Sequence, residues 1–509
     1  VTVRLVAGVM LVSVCGTPPS PPIITTRIAA TLVGGSLVLD GARFGERDPG
    51  SKLVYVGGST PATDPAVTAW TDTSITVVLP ASARSGPLAV QTLDGASLPV
   101  QLEVYAYDFF AVPPTPSTNA SPLAVAVDAA HRVWLTSEFQ RGELHALDPT
   151  ASSPRVSAFP VALPPAPGPF ATRIFGDQRT EISELGESII VDDHGRVWAS
   201  QGGGLLYDAN HGMFANHSRI VMRDPATATT SIWNVPGDHN EVTGLAWDAA
   251  GQRLWFAQSG FDAGAAIGSF DPAQVAPDPC SPACFDFATP VPPTGFAFHA
   301  LPRPRAYPVK LLLDRDGPGG SVGHVWYSAY LANHVGRLDV ATGAVDEVPL
   351  PPSIGPQGAF WHSSGPWDLV ATPGGSIVFN EQYDSRIGRL DAARVRSGDP
   401  ACTNPSGDGN PCIALISVPD ADLATELAHS IALDGAGRIW YSVHGPDTAA
   451  GKASLGIALP DLSAIVRLPA LPGAPSDPLA NDGIAIDPTT GDLWIAEYLR
   501  HRLGRLRRI

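Results

Sequence analysis

The chain has 509 residues, with 51 glycines, 51 prolines and only 16% charged side chains. That mixture works against long solvated helices and favours many short strands joined by turns, and no capped helix with sustained periodicity is expected. A formal net charge of −17 excludes a nucleic-acid partner, whose phosphates would be repelled.

Residues 1–21 read as an export signal and tether. Arg4 precedes the apolar run Leu5–Val14, which is too short to span a bilayer as a mature helix. The run ends at Val12-Ser13-Val14-Cys15-Gly16, the pattern of a lipoprotein signal in which Cys15 is acylated, although Val14 is bulkier than the usual residue there. The expected location is therefore outside the cytoplasm: periplasmic, on the cell surface as a lipoprotein, or secreted. Membrane contact is expected only through that N-terminal lipid, and the protein is expected to act as a monomer.

Residues 22–104 show alternating strands at Gly35–Gly45, Val54–Gly58 and Trp70–Pro80, with a glycine turn ahead of Phe44. This is the pattern of an antiparallel sandwich. The same segments resemble the IPT/TIG immunoglobulin-like domains, a resemblance that implies a spacer or adhesion module with no catalytic residues.

Residues 105–509 are governed by a repeat. Each copy has a strand of small apolar residues ending in Asp, a turn, and a strand with an apolar-Trp pair. It runs from Ala124–Asp128 with Val133-Trp134, through copies centred on Asp192/Trp198, Asp248/Trp255 and Asp314/Trp326. A fifth copy is degenerate, with Thr372 for Asp and Val378 for Trp, and Asp434/Trp440 and Asp487/Trp494 complete the set. Third strands follow at Val335–Asp339, Ile387–Asp391 and Leu503–Leu506, and fourth strands end at prolines. Seven copies of four antiparallel strands predict an all-β chain in which the sandwich precedes a seven-bladed β-propeller, with each Trp buried between blades. The seventh copy lacks a fourth strand, so Phe109–Pro113 is expected to supply it and close the ring.

Of the five cysteines, Cys280 and Cys284 form one local pair and Cys402 and Cys412 another, each in a Pro-rich insert between third and fourth strands. Two loop disulfides suit an oxidising compartment, with zinc ligation as the rival reading.

The repeat maps one mouth of the central channel. The residues five before the repeat Asp are Leu123, Glu187, Thr243, Val309, Trp367, His429 and Asp482. Those three after the repeat Trp are Ser137, Gln201, Gln258, Ala329, Glu381, Val443 and Glu497. Glu187, Glu381, Asp482 and Glu497 make an acidic mouth that could hold a divalent cation, Mg2+ or Ca2+, through oxygen ligands. Trp367, Asp368, His239, Glu241 and His362 would border a bound ligand. Strand ends facing a solvated channel are also polar without any ligand.

The blade unit, Asp-x-x-Gly-x-apolar-Trp followed by Ile-Gly-Arg-Leu as in Ile387–Leu390, resembles the streptogramin B lyase propellers over roughly residues 121–509. That resemblance implies elimination on a cyclic depsipeptide, with a His as base and glutamate-held Mg2+ polarising the carbonyl. The family pattern is Glu-x-His, a Trp eleven residues on, and a Glu three later. His429 and Trp440 keep this spacing, but Leu427 and Val443 stand where the glutamates would be, with Glu426 one residue away. The last blade has Glu497 in place but Asp482 at the His position. Two functions are therefore expected to compete. One is a metal-assisted lyase or lactonase acting on a cyclic ester through His429. The other is a non-catalytic propeller that binds a small-molecule or surface ligand.

Overall fold

The computed structural model describes residues 20–113, 121–138, 143–160, 185–201, 205–208, 212–215, 218–237, 240–260, 264–278, 294–303, 305–356, 363–405, 409–445, 454–472 and 481–509. The calls on Cys15, Cys280 and Cys284 fall outside them. The chain forms two compact units, one ending at Val104 and also holding Ile509, the other spanning Tyr105–Arg508.

The first unit is a sandwich of two antiparallel sheets. One has the order Ile23–Ile24, Ser36–Ala42, Ser74–Val78, Val67–Trp70, and the other pairs Val100–Leu102 with Gly86–Thr92, then Lys52–Tyr55 and Gly58–Pro61. Alternation puts Leu37 and Leu39 inward while Val38 faces out, so Leu39, Phe44, Leu53, Ile75 and Val90 pack as its core.

The second unit contains seven four-stranded antiparallel blades, with strands A to D from the axis outward. Blade 1 is Ser121–Val127, Val133–Glu138, Glu143–Leu147 and Val156–Pro160; blade 2 is Leu185–Val191, Val197–Gln201, Arg219–Asp224 and Thr229–Asn234. Blade 3 is Asn240–Asp248, Arg253–Gly260, Ala266–Phe270 and Phe296–Ala300; blade 4 is Pro308–Asp314, His324–Ala329, His334–Asp339 and Val345–Pro349. Blade 5 is Pro366–Ala371, Ile377–Glu381, Arg386–Leu390 and Ile413–Ser417; blade 6 is Leu427–Leu433, Ile439–His444, Ser454–Ala458 and Ile465–Arg467. Blade 7 takes strands A to C from Asn481–Ile486, Leu493–Glu497 and Arg502–Arg508. Its fourth strand is the Tyr105–Ala111 part of Val100–Ala111, in register from Tyr105↔Arg508 to Ala111↔Arg502. The closing strand thus begins four residues earlier than the proline-ended segment read from sequence.

The repeat residues explain how most blades form, although in blade 3 the Trp255 indole N–H has no partner among the described residues. Asp128 Oδ2 accepts the Trp134 indole N–H at 2.9 Å, and its Oδ1 accepts two backbone N–H groups of the A–B turn. Asp192 with Trp198 and Asp314 with Trp326 repeat the indole bond at 2.8 and 3.0 Å. Blade 5 has lost both partners together. With Val378 there is no indole to satisfy, and Thr372 Oγ1 holds the turn through Ser376. Each tryptophan packs into the next blade: Trp494 with Val125 and Val133, Trp134 with Ile189 and Val197, Trp326 with Leu369 and Ile377.

The glycine of Ile-Gly-Arg-Leu follows from close approach. A Cβ on Gly336, Gly388 or Gly456 would overlap the ring of Tyr327, Phe379 or Tyr441, the aromatic residue on the neighbouring strand B. Two departures from the sequence reading lie in inserts. Short helices, Ala392–Arg396 and Pro400–Thr403, are capped by Asp391 and Asp399 and are too brief to show periodicity. A hairpin, Leu205–Asp208 with Gly212–Ala215, extends the connection after strand B of blade 2. Cys402 and Cys412 form a disulfide with Cα atoms 5.4 Å apart, tying the blade 5 insert.

Candidate functional site

Every strand A carries a register shift of β-bulge type near its first residues, at the mouth mapped from the repeat and called the upper one, for instance between Pro366 and Leu369 in blade 5 and between Ala428 and Ile431 in blade 6. A bulge interrupts alternation, so two consecutive residues face the axis instead of one. The cavity on the axis, about 550 Å3 with its solvent-open part, is lined by such couples from the blades: Val309 with Lys310, Trp367 with Asp368, His429 with Ser430. Leu123, Thr243, Trp367 and His429 line it as their repeat position requires.

The second residue of the couple bonds or abuts a neighbouring blade. Ser188 Oγ accepts the Leu245 N–H at 3.0 Å, and Asp368 Oδ2 accepts the Ile431 N–H at 3.1 Å. Gly244 and Gly483 hold the same place where a Cβ would run into the neighbouring strand's backbone. Asp368 is further satisfied by Leu369 N–H and Ser430 Oγ, both at 2.9 Å. Lys310 is the exception in this row. It is a long cation whose ammonium lies 3.4 Å from Asp368 Oδ1.

One side of the mouth is aromatic. The Trp367 and His429 rings are 5.0 Å apart at 43°, and Tyr330 meets Trp367 edge-on at 5.0 Å. The Tyr330 and Tyr383 hydroxyls are hydrogen-bonded, and Tyr307 lies beside Tyr330 and donates to Glu241 Oε2 at 2.6 Å. Burial holds the Glu241 carboxyl above its usual range, against the pull of the Tyr307 bond. Beyond His429, His444 Nδ1 is hydrogen-bonded to the buried Asp482 Oδ1 at 2.9 Å, while His429 Nδ1 is 3.8 Å from the same oxygen. Among the described residues His429 Nδ1 has no hydrogen-bond partner. Burial pushes the His429 imidazole below its ordinary value; Asp482 opposes this and His444 adds to it. His429 is thus neutral near pH 7, with a lone pair able to take a proton or a hydrogen bond.

The strand B ends do other work. Glu381 is fully buried, ion-paired to Arg386 and hydrogen-bonded by Ser364 at 2.9 Å; burial pushes it up to about 7, although Arg386 and Ser364 pull it down. Glu497, also fully buried, is ion-paired to Arg502 at 2.7 Å and accepts from the Tyr107 hydroxyl of the closing strand. Ala329 and Val443 are core residues. Glu426 is held by both terminal nitrogens of Arg467, at 2.9 and 3.0 Å.

These carboxylates do not fit the shared cation expected from the sequence. A guanidinium already stands where Glu381 and Glu497 would need a metal, and Asp482 is engaged by His444. Among the described residues, the groups of three acidic, His or Cys ligand atoms within 4.8 Å are Asp399/Cys402/Cys412, where the sulfurs are disulfide-bonded, and Asp192/Asp193/His194. Neither includes Glu381, Asp482 or Glu497. The Glu187 side chain and all of His239 and His362 lie outside the described residues.

Sequence reasoning missed Lys310, Tyr330, Tyr383 and His444. Lys310 is displaced by one residue because the bulge shifts register, and His444 is one past the counted strand end. Glu381/Arg386 and Glu497/Arg502 are cross-strand neighbours at matching spacing, a Glu-x4-Arg signal that marks ion pairs instead of metal ligands.

No protein-family model matches the chain, and no curated protein matches it by sequence. Solved structures do. Virginiamycin B lyase from Staphylococcus aureus aligns with a TM-score of 0.51 and 16% identity, covering 80% of this chain and 100% of that one. What the two share is the β-propeller fold. An auxiliary nutrient binding protein from Bacteroides thetaiotaomicron aligns at 0.42 and 12% identity over 96% of this chain and 98% of that one, and one from Bacteroides ovatus at 0.40 and 11% over 97% and 99%. At these identities neither a catalytic nor a binding role is carried across.

Proposed function

We propose that this is an exported propeller that binds a small molecule at the upper mouth of its central channel, with a ring of the ligand lying against Trp367 and His429. The observation that carries this reading is the placement of those two rings side by side on the cavity wall, next to Lys310 and Asp368. Cavities with an aromatic wall beside a few placed polar groups are a usual form of small-molecule site. Export is supported by the Cys402–Cys412 disulfide and the N-terminal apolar run. Among the described residues no helix is long and apolar enough to cross a membrane. The sandwich is assigned a spacer role.

The test is thermal shift against a panel of cyclic compounds, comparing the protein with Trp367→Ala. A ligand at 100 times its Kd stabilises by about 2.7 kcal/mol, and Trp367→Ala is expected to erase that shift. Hits that stabilise both proteins equally would place binding elsewhere.

A second reading is favoured by the neutral His429, whose Nδ1 has no partner among the described residues. It is elimination on a cyclic ester or depsipeptide-like substrate, the substrate class implied by the lyase resemblance, with His429 taking the proton. Chromatography with fragment-ion mass spectrometry of a cyclic depsipeptide, incubated with the protein and with His429→Ala, separates the ring-opened isomer, whose mass is unchanged, from intact substrate and so distinguishes turnover from binding.

A further inference from the structure

We infer that the mouth selects anionic ligands, small ring-bearing carboxylates whose acid group is held by Lys310 while the ring lies on Trp367. The inference deepens the binding reading above and rests on it.

Lys310 holds a place where the other blades carry Ala, Ser, Gly or Asp, short residues of which Ser188, Asp368 and Ser430 bond a neighbouring blade. It cannot repeat the Ser188 or Asp368 bond, because an ammonium has three donors and no acceptor. Its one partner among the described residues is Asp368 Oδ1 at 3.4 Å, and no side-chain hydrogen bond accompanies that contact. Asp368 does not depend on it. The carboxylate already accepts from Leu369 N–H, Ser430 Oγ and Ile431 N–H, all within 3.1 Å. Lys310 is therefore the single lysine or arginine on the described cavity wall, 39% exposed, with donors still to place.

Its surroundings set the class of anion. Trp367 comes from the adjacent blade and is the residue next to Asp368, so the ammonium and the indole are offered to one ligand. An acid group on Lys310 keeps a charge-assisted bond, while an attached ring covers apolar surface. The chain as a whole carries −17, so an anion gains no long-range attraction and must be recognised locally. Asp368 opposes a second carboxylate, which favours a monoanion bridged through Lys310.

The experiment is calorimetric titration of the full chain with three acid–amide pairs: phenylacetate, cinnamate and indole-3-acetate, each against its primary amide. At least one acid is expected to bind about tenfold more tightly than its amide. Lys310→Met should collapse that ratio to near one, and Lys310→Arg should keep it, with melting curves confirming that both variants fold. Acid and amide binding alike, a preference that survives Lys310→Met, or no binding by any of the acids overturns the inference. The two readings fail separately. Equal binding of acid and amide that Trp367→Ala abolishes sinks the anion and leaves the mouth, whereas binding that Trp367→Ala leaves unchanged sinks the mouth.

Discussion

Burial and pairing decide which polar side chains near the axis remain available. Glu381 and Glu497 are closed off by arginines, whereas His429 Nδ1 has no partner among the described residues. That difference was half legible in the sequence. Counting back from the repeat Asp located His429 and Trp367, because the strand starts a fixed distance before its turn. The same counting made Glu381 and Glu497 look like ligands, since their arginine partners come from the following strand across the B–C turn. His429 leads to a pH prediction. Its folded-state value is lowered by burial, so below about pH 6.5 the unfolded chain takes up a proton that the folded protein resists. Stability from the neutral ring is complete above that pH and is lost on acidification. Melts between pH 7.5 and 5.0 should show the native protein falling more steeply than His429→Gln, by at most about 1.4 kcal/mol per pH unit. Parallel profiles would mean that burial of this ring is not linked to folding.

Strands were readable where the sequence repeats a bond and unreadable where geometry departs from alternation. The Asp–Trp hydrogen bond recurs, so strands A and B were placed in every blade, even where Thr372 and Val378 replace both partners. The bulge in strand A has no residue signature of its own: Pro122, Pro308 and Pro366 precede it in three blades, Ala428 and Asn481 in others. Lys310 escaped notice for that reason. Strand C offers a direct check on how tightly the elements pack. Gly388 lies against the Phe379 ring, with no room for a methyl group. Gly388→Ala should destabilise by about 1–3 kcal/mol through overpacking. Adding Phe379→Leu should recover part of the loss, so the double variant is more stable than the two single effects predict. Strict additivity in denaturant melts would show that the glycine serves another purpose.

A ring of four-stranded blades is complete only if its last sheet takes its outer strand from elsewhere in the chain. Counting strands in the sequence revealed the missing one, because an edge left open is a liability whatever its side chains. The position of the closing strand was only partly legible. Its terminal Val112-Pro113 looked like the fourth-strand ending of other blades, while the pairing itself begins at Tyr105, where alternation alone carries no mark. The closure is held by more than backbone bonds. Asp108 bridges Arg505 and Arg507 at 2.8 and 3.0 Å, and the Tyr107 hydroxyl reaches the buried Glu497. Phe110 packs at 5.9 Å from Trp494, the ring that seals blade 7 against blade 1. Removing the strand therefore exposes strand C of blade 7, leaves Glu497 without one of its partners, and uncovers Trp494 on its outer side. A chain beginning at Ser121 should melt at a lower temperature and over a broader range than one beginning at Tyr105, with intrinsic tryptophan fluorescence shifted to the red before the main transition. Equal midpoints and equal cooperativity for the two chains would show that the ring is closed by blade-to-blade packing alone, and that Tyr105–Ala111 is an ornament on its edge.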